Sequence, residues 1–351
     1  MINDERYYRI CIYDVMFVKI VTTRKEKYMV RSDVSLPQNL SFENTFQIED
    51  LRVFDTEAIQ SMLVYDHTTL TAQLLAHSMH GVSTALVTHI YQSLPVDQQS
   101  LFQREFQRTL TPQEIVNAQQ YVLNDLFWEL IYWKRPDFYE ALTEGEHLHP
   151  GIFPALEADL AGNIVLDAAA GSGRATFDCV RFGSSLVYAI DPSPGLLHLL
   201  RHKIVERGEQ QRIIPASGRF EELPLPNACV DTAISCSAFT ALDGQGGEPG
   251  LAELKRVTIP GGKIIIIWPR TDDHAWFTSH GFHYVSLPIK DEMHVHFRSM
   301  QTALACARLF YAANPAVEQY LQHTGKPDVP FTVIGMNPPQ DYFWLTNGSD
   351  L

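Results

Sequence analysis

The sequence predicts an α/β protein: a doubly wound, seven-stranded, mostly parallel sheet, preceded by a mostly helical N-terminal domain. Three observations carry this. From Asn163 onward, short apolar runs alternate with helical periods, the pattern of a parallel sheet covered on both faces. The first of these runs, Ile164–Ala168, contains a carboxylate near its end and breaks into alanines and glycines before a helical pattern resumes at Ala175. Between about Asp55 and Leu142, by contrast, apolar residues recur at helical spacing. The expected division is 1–145 for a hairpin with a helical cap, and 146–351 for the α/β domain.

The elements follow in order. Tyr8–Val21 and Tyr28–Leu36 are strand-rich and flank the charged turn Arg24-Lys25-Glu26-Lys27, which predicts a hairpin. In the helical section, Thr111-Pro112-Gln113-Glu114 joins a T-x-x-E capping box to a proline at the first helical position. Ile115, Val116, Val122, Leu123, Leu126, Phe127, Leu130 and Ile131 continue that period until Pro136. The expected strands are Ile164–Ala168, Leu186–Ile190, Arg212–Ala216, Val230–Cys236, Lys263–Trp268, His283–Pro288 and Val329–Gly335. Helices are expected at Ala175–Phe182, Pro194–Arg207 and Gly250–Thr258, with one long helical stretch from about Ser299 to His323.

Composition narrows the function classes. A chain of 351 residues with 45% hydrophobic and 19% charged residues is globular. A formal net charge of −14 disfavours a general binder of phosphate backbones. The five cysteines (Cys11, Cys179, Cys229, Cys236, Cys306) are scattered and contain no C-x-x-C pair, as expected of buried thiols in a reducing compartment. The run Ile10–Val21 is interrupted by Asp14 and Lys19 and is no membrane span, and the first residues lack a signal-peptide pattern. The expectation is a cytoplasmic protein with no membrane partner, for which nucleic acid is disfavoured rather than excluded.

Three features fall at the carboxyl ends of the first three strands, where open α/β sheets bind ligands. The loop Asp167-to-Gly173 offers bare backbone and a helix N-terminus. Its leading carboxylate suits a cation or an α-amino group and repels a pyrophosphate. Asp191, followed by Pro192, closes the second strand, where a carboxylate can accept both hydroxyls of a ribose. The loop Gly218-Arg219-Phe220-Glu221-Glu222-Leu223-Pro224 follows the third strand, where backbone N–H groups and Phe220 can frame a base.

Five motifs occur in order: V-L-D-A-A-A-G-S-G-R at 165–174, Y-A-I-D-P-S-P at 188–194, G-R-F-E-E-L-P-L-P at 218–226, V-D-T-A-I-S at 230–235 and L-K-R-V-T-I-P-G-G at 254–262. On these the chain resembles the class I S-adenosylmethionine-dependent methyltransferases, in the branch with small-molecule and quinone-pathway enzymes. The resemblance covers roughly 160 to 345 and implies a Rossmann-like fold with S-adenosylmethionine as cofactor. It implies that Asp167, Ala169, Gly171 and Gly173 hold the amino acid portion, Asp191 and Pro192 the ribose, and Arg219, Phe220 and Glu221 the adenine neighbourhood, with Ser235 completing the set. Two positions depart from the pattern. Ala169 replaces the first loop glycine, which a slightly wider turn accepts. Arg219 stands where an acid is common, so adenine is expected to rely on backbone contacts.

A nicotinamide dinucleotide site is the competing reading, but G-x-G-x-x-G needs a third glycine where the chain has Thr176. Methyl transfer needs alignment more than acid–base power. Ser235, Cys236, Ser237 and Phe239, after the fourth strand, are expected to wall the pocket near the transferred methyl, and no catalytic base is assigned. His147, His149, His274, His280, His283, His294 and His296 are expected as exposed or pocket-lining residues, with no metal assigned. Asn337-Pro338-Pro339 is expected as a turn following the last strand. The activity expected is methyl transfer to a small organic acceptor. The alternatives are a non-catalytic S-adenosylmethionine-binding subunit, and a protein or RNA methyltransferase. The helical region is expected as a cap, a homodimer surface or an acceptor pocket.

Overall fold

The computed structural model describes residues 44–64 and 69–348; the expected hairpin at 8–36 lies outside them. Seven helices come first: α1 (Thr56–Val64), α2 (Ala72–Ser78), α3 (Thr84–Ser93), α4 (Val96–Phe106), α5 (Pro112–Asp125), α6 (Phe127–Lys134) and α7 (Pro136–Thr143). The capping box at Thr111 forms in both directions, with Pro112 at the first helical position. The period that follows is two helices rather than one. It breaks at Leu126, whose backbone leaves helical geometry (φ −100, ψ 13). Leu126 and Leu130 nonetheless join Val122 in one core with Phe54, Leu75, Met79, Leu86 and Phe102, so the apolar spacing continues across the break. Pro136 opens α7 instead of ending the section, since a first-turn residue needs no N–H partner.

The chain continues as α8 (Ile152–Leu160), β1 (Ile164–Ala168), α9 (Thr176–Arg181), β2 (Leu186–Asp191), α10 (Pro194–Arg207), β3 (Ile213–Ser217), β4 (Val230–Cys236), α11 (Gly247–Val257), β5 (Thr258–Ile267), α12 (His274–Ser279) and β6 (His283–Ser286). It then forms β7 (His294–His296), α13 (Met300–Phe310), α14 (Pro315–Thr324), β8 (Asp328–Pro330), α15 (Phe331–Ile334) and β9 (Asp341–Thr346). The main sheet has seven strands in the order β3-β2-β1-β4-β5-β9-β6. β1 to β5 pair in parallel, and β9 runs antiparallel to both β5 and β6. The central strands are buried on both faces, so they read as near-continuous apolar runs, as with Ile264–Ile267.

The seventh strand differs from expectation. Val329–Gly335 is not a strand of this sheet: Asp328–Pro330 pairs with β7, and Phe331–Ile334 forms a single helical turn. Pro330 sits at its N-cap, and Gly335 ends it in the left-handed region at φ 84. The seventh strand is β9, so Asn337-Pro338-Pro339 leads into the last strand rather than following it. The expected helix at 299–323 is two helices, because Pro315 starts a new one after Asn314.

The described residues form two compact units. The larger holds 45–143, 148–288 and the chain from 339 on, so the helical region and the seven-stranded sheet share one unit. The other holds Asn44, 144–147 and 289–338. Inside it, His296 donates its N–H to the Gly145 carbonyl (2.9 Å), and Arg308 pairs with Glu318 across α13 and α14 (2.8 Å). No helix among the described residues is long and apolar enough to cross a membrane.

Candidate functional site

The site grows from the end of β1. Asp167 lies in that strand's buried core, 1% exposed, and one carboxylate oxygen, Oδ2, accepts the Thr176 hydroxyl at 2.5 Å. The other, Oδ1, is buried and has no hydrogen-bond partner among the described residues. Burial pushes the carboxyl up to about 7; the Thr176 hydroxyl opposes this and the nearby Asp191 adds to it. A buried acceptor with an open oxygen is a site for a donor, and a cationic amino group would both satisfy it and restore its charge.

After β1 the chain turns through Ala169, at φ 61, and Gly171, at φ 56. Ala169 itself takes the left-handed conformation, at a strain of about 1–2 kcal/mol for an L-residue. Gly173 could not be replaced so simply. At φ 101, a Cβ there would lie 2.7 Å from Phe177 Cε2 and 2.8 Å from Leu200 Cδ1.

Asp191 at the end of β2 is tied to this loop. Its Oδ2 accepts the Gly171 N–H and its Oδ1 the Ser193 N–H, both at 2.8 Å. Burial raises its carboxyl to about 6, and these two N–H groups and Arg219 oppose the rise. Pro192 connects Asp191 to Ser193, which caps α10 through Leu196 N–H (3.3 Å) and donates its hydroxyl to the Tyr132 carbonyl of α6 (2.7 Å). Helix α6 thus packs directly on the start of α10. Gly195 permits this approach, since a Cβ there would sit 2.5 Å from the Tyr132 oxygen.

The loop after β3 packs on the end of β2 and the start of α11. The Gly218 N–H reaches the Asp191 carbonyl (3.4 Å), and Phe220 packs edge-on against Phe239 at 5.1 Å. Glu221 Oε1 accepts the Gly246 N–H at the start of α11 (3.3 Å). Arg219 bridges to Glu222 through the backbone, and its Nε is 4.0 Å from Glu57 Oε1 of α1.

A cavity is lined by Asp167, the Ala169–Ser172 loop, Arg174 and Cys236, with Tyr139 and Thr143 of α7. Ser235 does not line it. Successive strand residues point to opposite faces, so Cys236 at the cavity leaves Ser235 on the other side of the sheet, where its Oγ is buried without a partner. Burial raises the Cys236 thiol to about 12, with Arg174 opposing, so it stays protonated. The Arg174 guanidinium also lies over the Trp268 ring at 5.6 Å.

Glu129 and Thr143 were not singled out from the sequence. Glu129 of α6 is enclosed near Asp191 and Arg219; burial raises its carboxyl to about 7, with Arg219 opposing and Asp191 adding. The available signal was a lone acid in the otherwise apolar and aromatic run Phe127–Trp133. Tyr139, Thr143 and Arg174 reach the cavity through tertiary packing.

The histidines are dispersed. His294 Nδ1 pairs with Asp328 Oδ2 (2.9 Å), and the His296 ring lies 5.9 Å from both His294 and His147. His149 Nδ1 accepts the Gly151 N–H at the start of α8 (3.1 Å). His280 and His283 stack on Trp276 and Trp344, and His274 packs against Tyr284 and Phe343. Among the described residues no three His, Cys, Asp or Glu side chains gather as a metal set.

Residues 166–266 match the family described as Methyltransferase domain. A stretch of 185 residues is 26% identical to an uncharacterized methyltransferase of Anoxybacillus flavithermus, covering 53% of this chain and 76% of the relative. Another, of 113 residues, is 32% identical to an uncharacterized methyltransferase of Mycobacterium tuberculosis, covering 32% of this chain and 42% of that one. A third, of 155 residues, is 27% identical to a dimethylglycine N-methyltransferase of Parasynechococcus marenigrum, covering 39% and 55%. The chain therefore spans less than two thirds of the last two relatives.

Proposed function

Taking the chain as a class I S-adenosylmethionine-dependent methyltransferase, we propose that it methylates a small organic acceptor, with the amino acid end of the cofactor held in the cavity that α7 walls. The observation that carries this is the pairing of an unpartnered, buried Asp167 Oδ1 with a wall, Tyr139 and Thr143, supplied by the helical region. The carboxylate fits the amino group of the cofactor, and the wall narrows what can approach from the opposite side. A net charge of −14 weighs against a polynucleotide acceptor. The dimethylglycine methyltransferase among the relatives is named for a small acceptor, which supports the same class.

When bound, the cofactor supplies an already activated methyl group, so the remaining task is alignment and exclusion of water. Asp167 Oδ1 would anchor the ammonium end. Asp191 keeps free lone pairs beside its two backbone N–H bonds and would accept the ribose hydroxyls. Phe220 and the backbone around it would frame the adenine. Cys236, a neutral thiol, acts as pocket wall and not as a nucleophile. A homodimer through the helical region and a cytoplasmic location belong to the same proposal; light scattering tests the first.

The test is incubation with methyl-labelled S-adenosylmethionine and three acceptor pools: a small-molecule filtrate of a cell extract, bulk RNA and a protein fraction. Label in the filtrate is expected. Label confined to RNA or protein would overturn the acceptor class. Tight binding without any transfer would favour a regulatory subunit.

A further inference from the structure

Lys203 stands in the third turn of α10, and its ammonium reaches two partners on different elements. It pairs with the Glu140 carboxylate of α7 and donates to the Ser172 carbonyl, inside the glycine loop, at 3.1 Å. The pair is removed from water, with the Glu140 side chain 7% and the Lys203 side chain 20% exposed. Glu140 Oε2 is buried with no other partner, so Lys203 is the single anchor of this carboxylate among the described residues.

A pair buried in this way is a weak source of stability, because desolvation offsets the attraction. Its value lies in register: any other placement of α7 leaves a charge unpaired. The register fixed here is that of the site. Glu140 lies between Tyr139 and Thr143, the two α7 residues that line the cavity. Ser172 lies between Gly171 and Gly173, in a loop whose alanines and glycines offer few side-chain atoms to hold it. Tyr139 Cε1 lies 3.8 Å from where a Cβ on Gly171 would be, so the α7 wall stands beside that loop.

We propose that Lys203 is a positioning residue that clamps α7 to the glycine loop, closing the helical wall over the cofactor's amino acid end. The inference rests on the S-adenosylmethionine reading and adds to it a residue outside the five motifs. It follows that cofactor affinity, and not stability alone, depends on the Lys203–Glu140 pair.

The test is calorimetric titration of the full chain with S-adenosylhomocysteine in wild type, K203M, K203R and E140Q. Hydrogen exchange of 136–143, with and without ligand, accompanies it. K203M and E140Q are expected to bind about tenfold more weakly, with K203R close to wild type. Ligand should slow exchange in 136–143 for wild type and K203R, and leave it unchanged in K203M. Should K203M fail to melt cooperatively, E140Q, which keeps the side-chain shape, carries the comparison. Folded K203M or E140Q with wild-type affinity and wild-type protection overturns the clamp. Failure of the wild type to bind is a different result, which removes the cofactor reading and the clamp together.

Discussion

Gly171 donates its backbone N–H to Asp191 Oδ2 at 2.8 Å, which joins the loop after β1 to the carboxylate after β2 as one unit. A residue expected only to meet the ribose therefore also shapes the turn proposed to meet the amino acid portion. Asp191→Ala should thus do two things. Two backbone N–H groups lose a buried acceptor, which lowers unfolding stability by about 2 kcal/mol. Cofactor affinity falls by about 2–3 kcal/mol as the charge-assisted bonds to ribose are lost. Denaturant unfolding and calorimetry read the two separately, and unchanged affinity would show the ribose assignment to be wrong.

Protonation gives a second prediction. Asp167 and Glu129 stand at about 7 and Asp191 at about 6 in the folded protein, all raised mainly by burial. The folded state therefore holds protons that the unfolded chain releases at lower pH. Their contribution to stability is complete below the unfolded carboxylate range, about pH 4, and is lost as pH rises through about 6 to 7. Ligand should act in the opposite sense. A cationic amino group favours ionised Asp167, so affinity for S-adenosylhomocysteine should rise from about pH 6 to about pH 8, with proton release on binding. Calorimetry in buffers of different ionisation enthalpy measures that release, and Asp167→Asn should abolish most of it.

Ala169 carries left-handed backbone at φ 61 without the freedom of glycine. Ala169→Gly should relieve that strain and raise the denaturation midpoint, by about 1 kcal/mol in stability, with cofactor binding retained. A drop in stability would mean that the methyl group is held by packing that outweighs the strain.

Gly173 is the opposite case. Gly173→Ala places a Cβ at 2.7 Å from Phe177 and 2.8 Å from Leu200, on backbone at φ 101. A loss of at least about 2 kcal/mol in unfolding stability is expected, together with weaker binding as the loop shifts. Thermal unfolding with and without ligand checks both.

The legible parts were those whose physics is local. β1 and β4 fall where their apolar runs lie, and α10 between its Pro194 start and Gly208 end. β9 escaped because its run begins with Asp341 after a proline turn, so its polar first residue and neighbours masked the apolar stretch Tyr342–Leu345. Val329–Gly335 looked like a strand by composition, but Pro330 and Gly335 bracket one helical turn. In the site, Asp167, Gly171 and Asp191 were legible as positions at or just after strand ends. Glu140 and Lys203 were not, since only packing brings α7 and α10 to the loop. Ser235 and Cys236 are adjacent in sequence, yet strand alternation gives the cavity to Cys236.

The most direct measurement is a calorimetric titration of the folded wild-type chain with S-adenosylhomocysteine, repeated with Asp167→Asn. The account predicts saturable one-to-one binding that the substitution weakens by about tenfold or more, because the amino group loses its buried carboxylate. Absence of binding to the folded wild type, or affinity unchanged in Asp167→Asn, would contradict it.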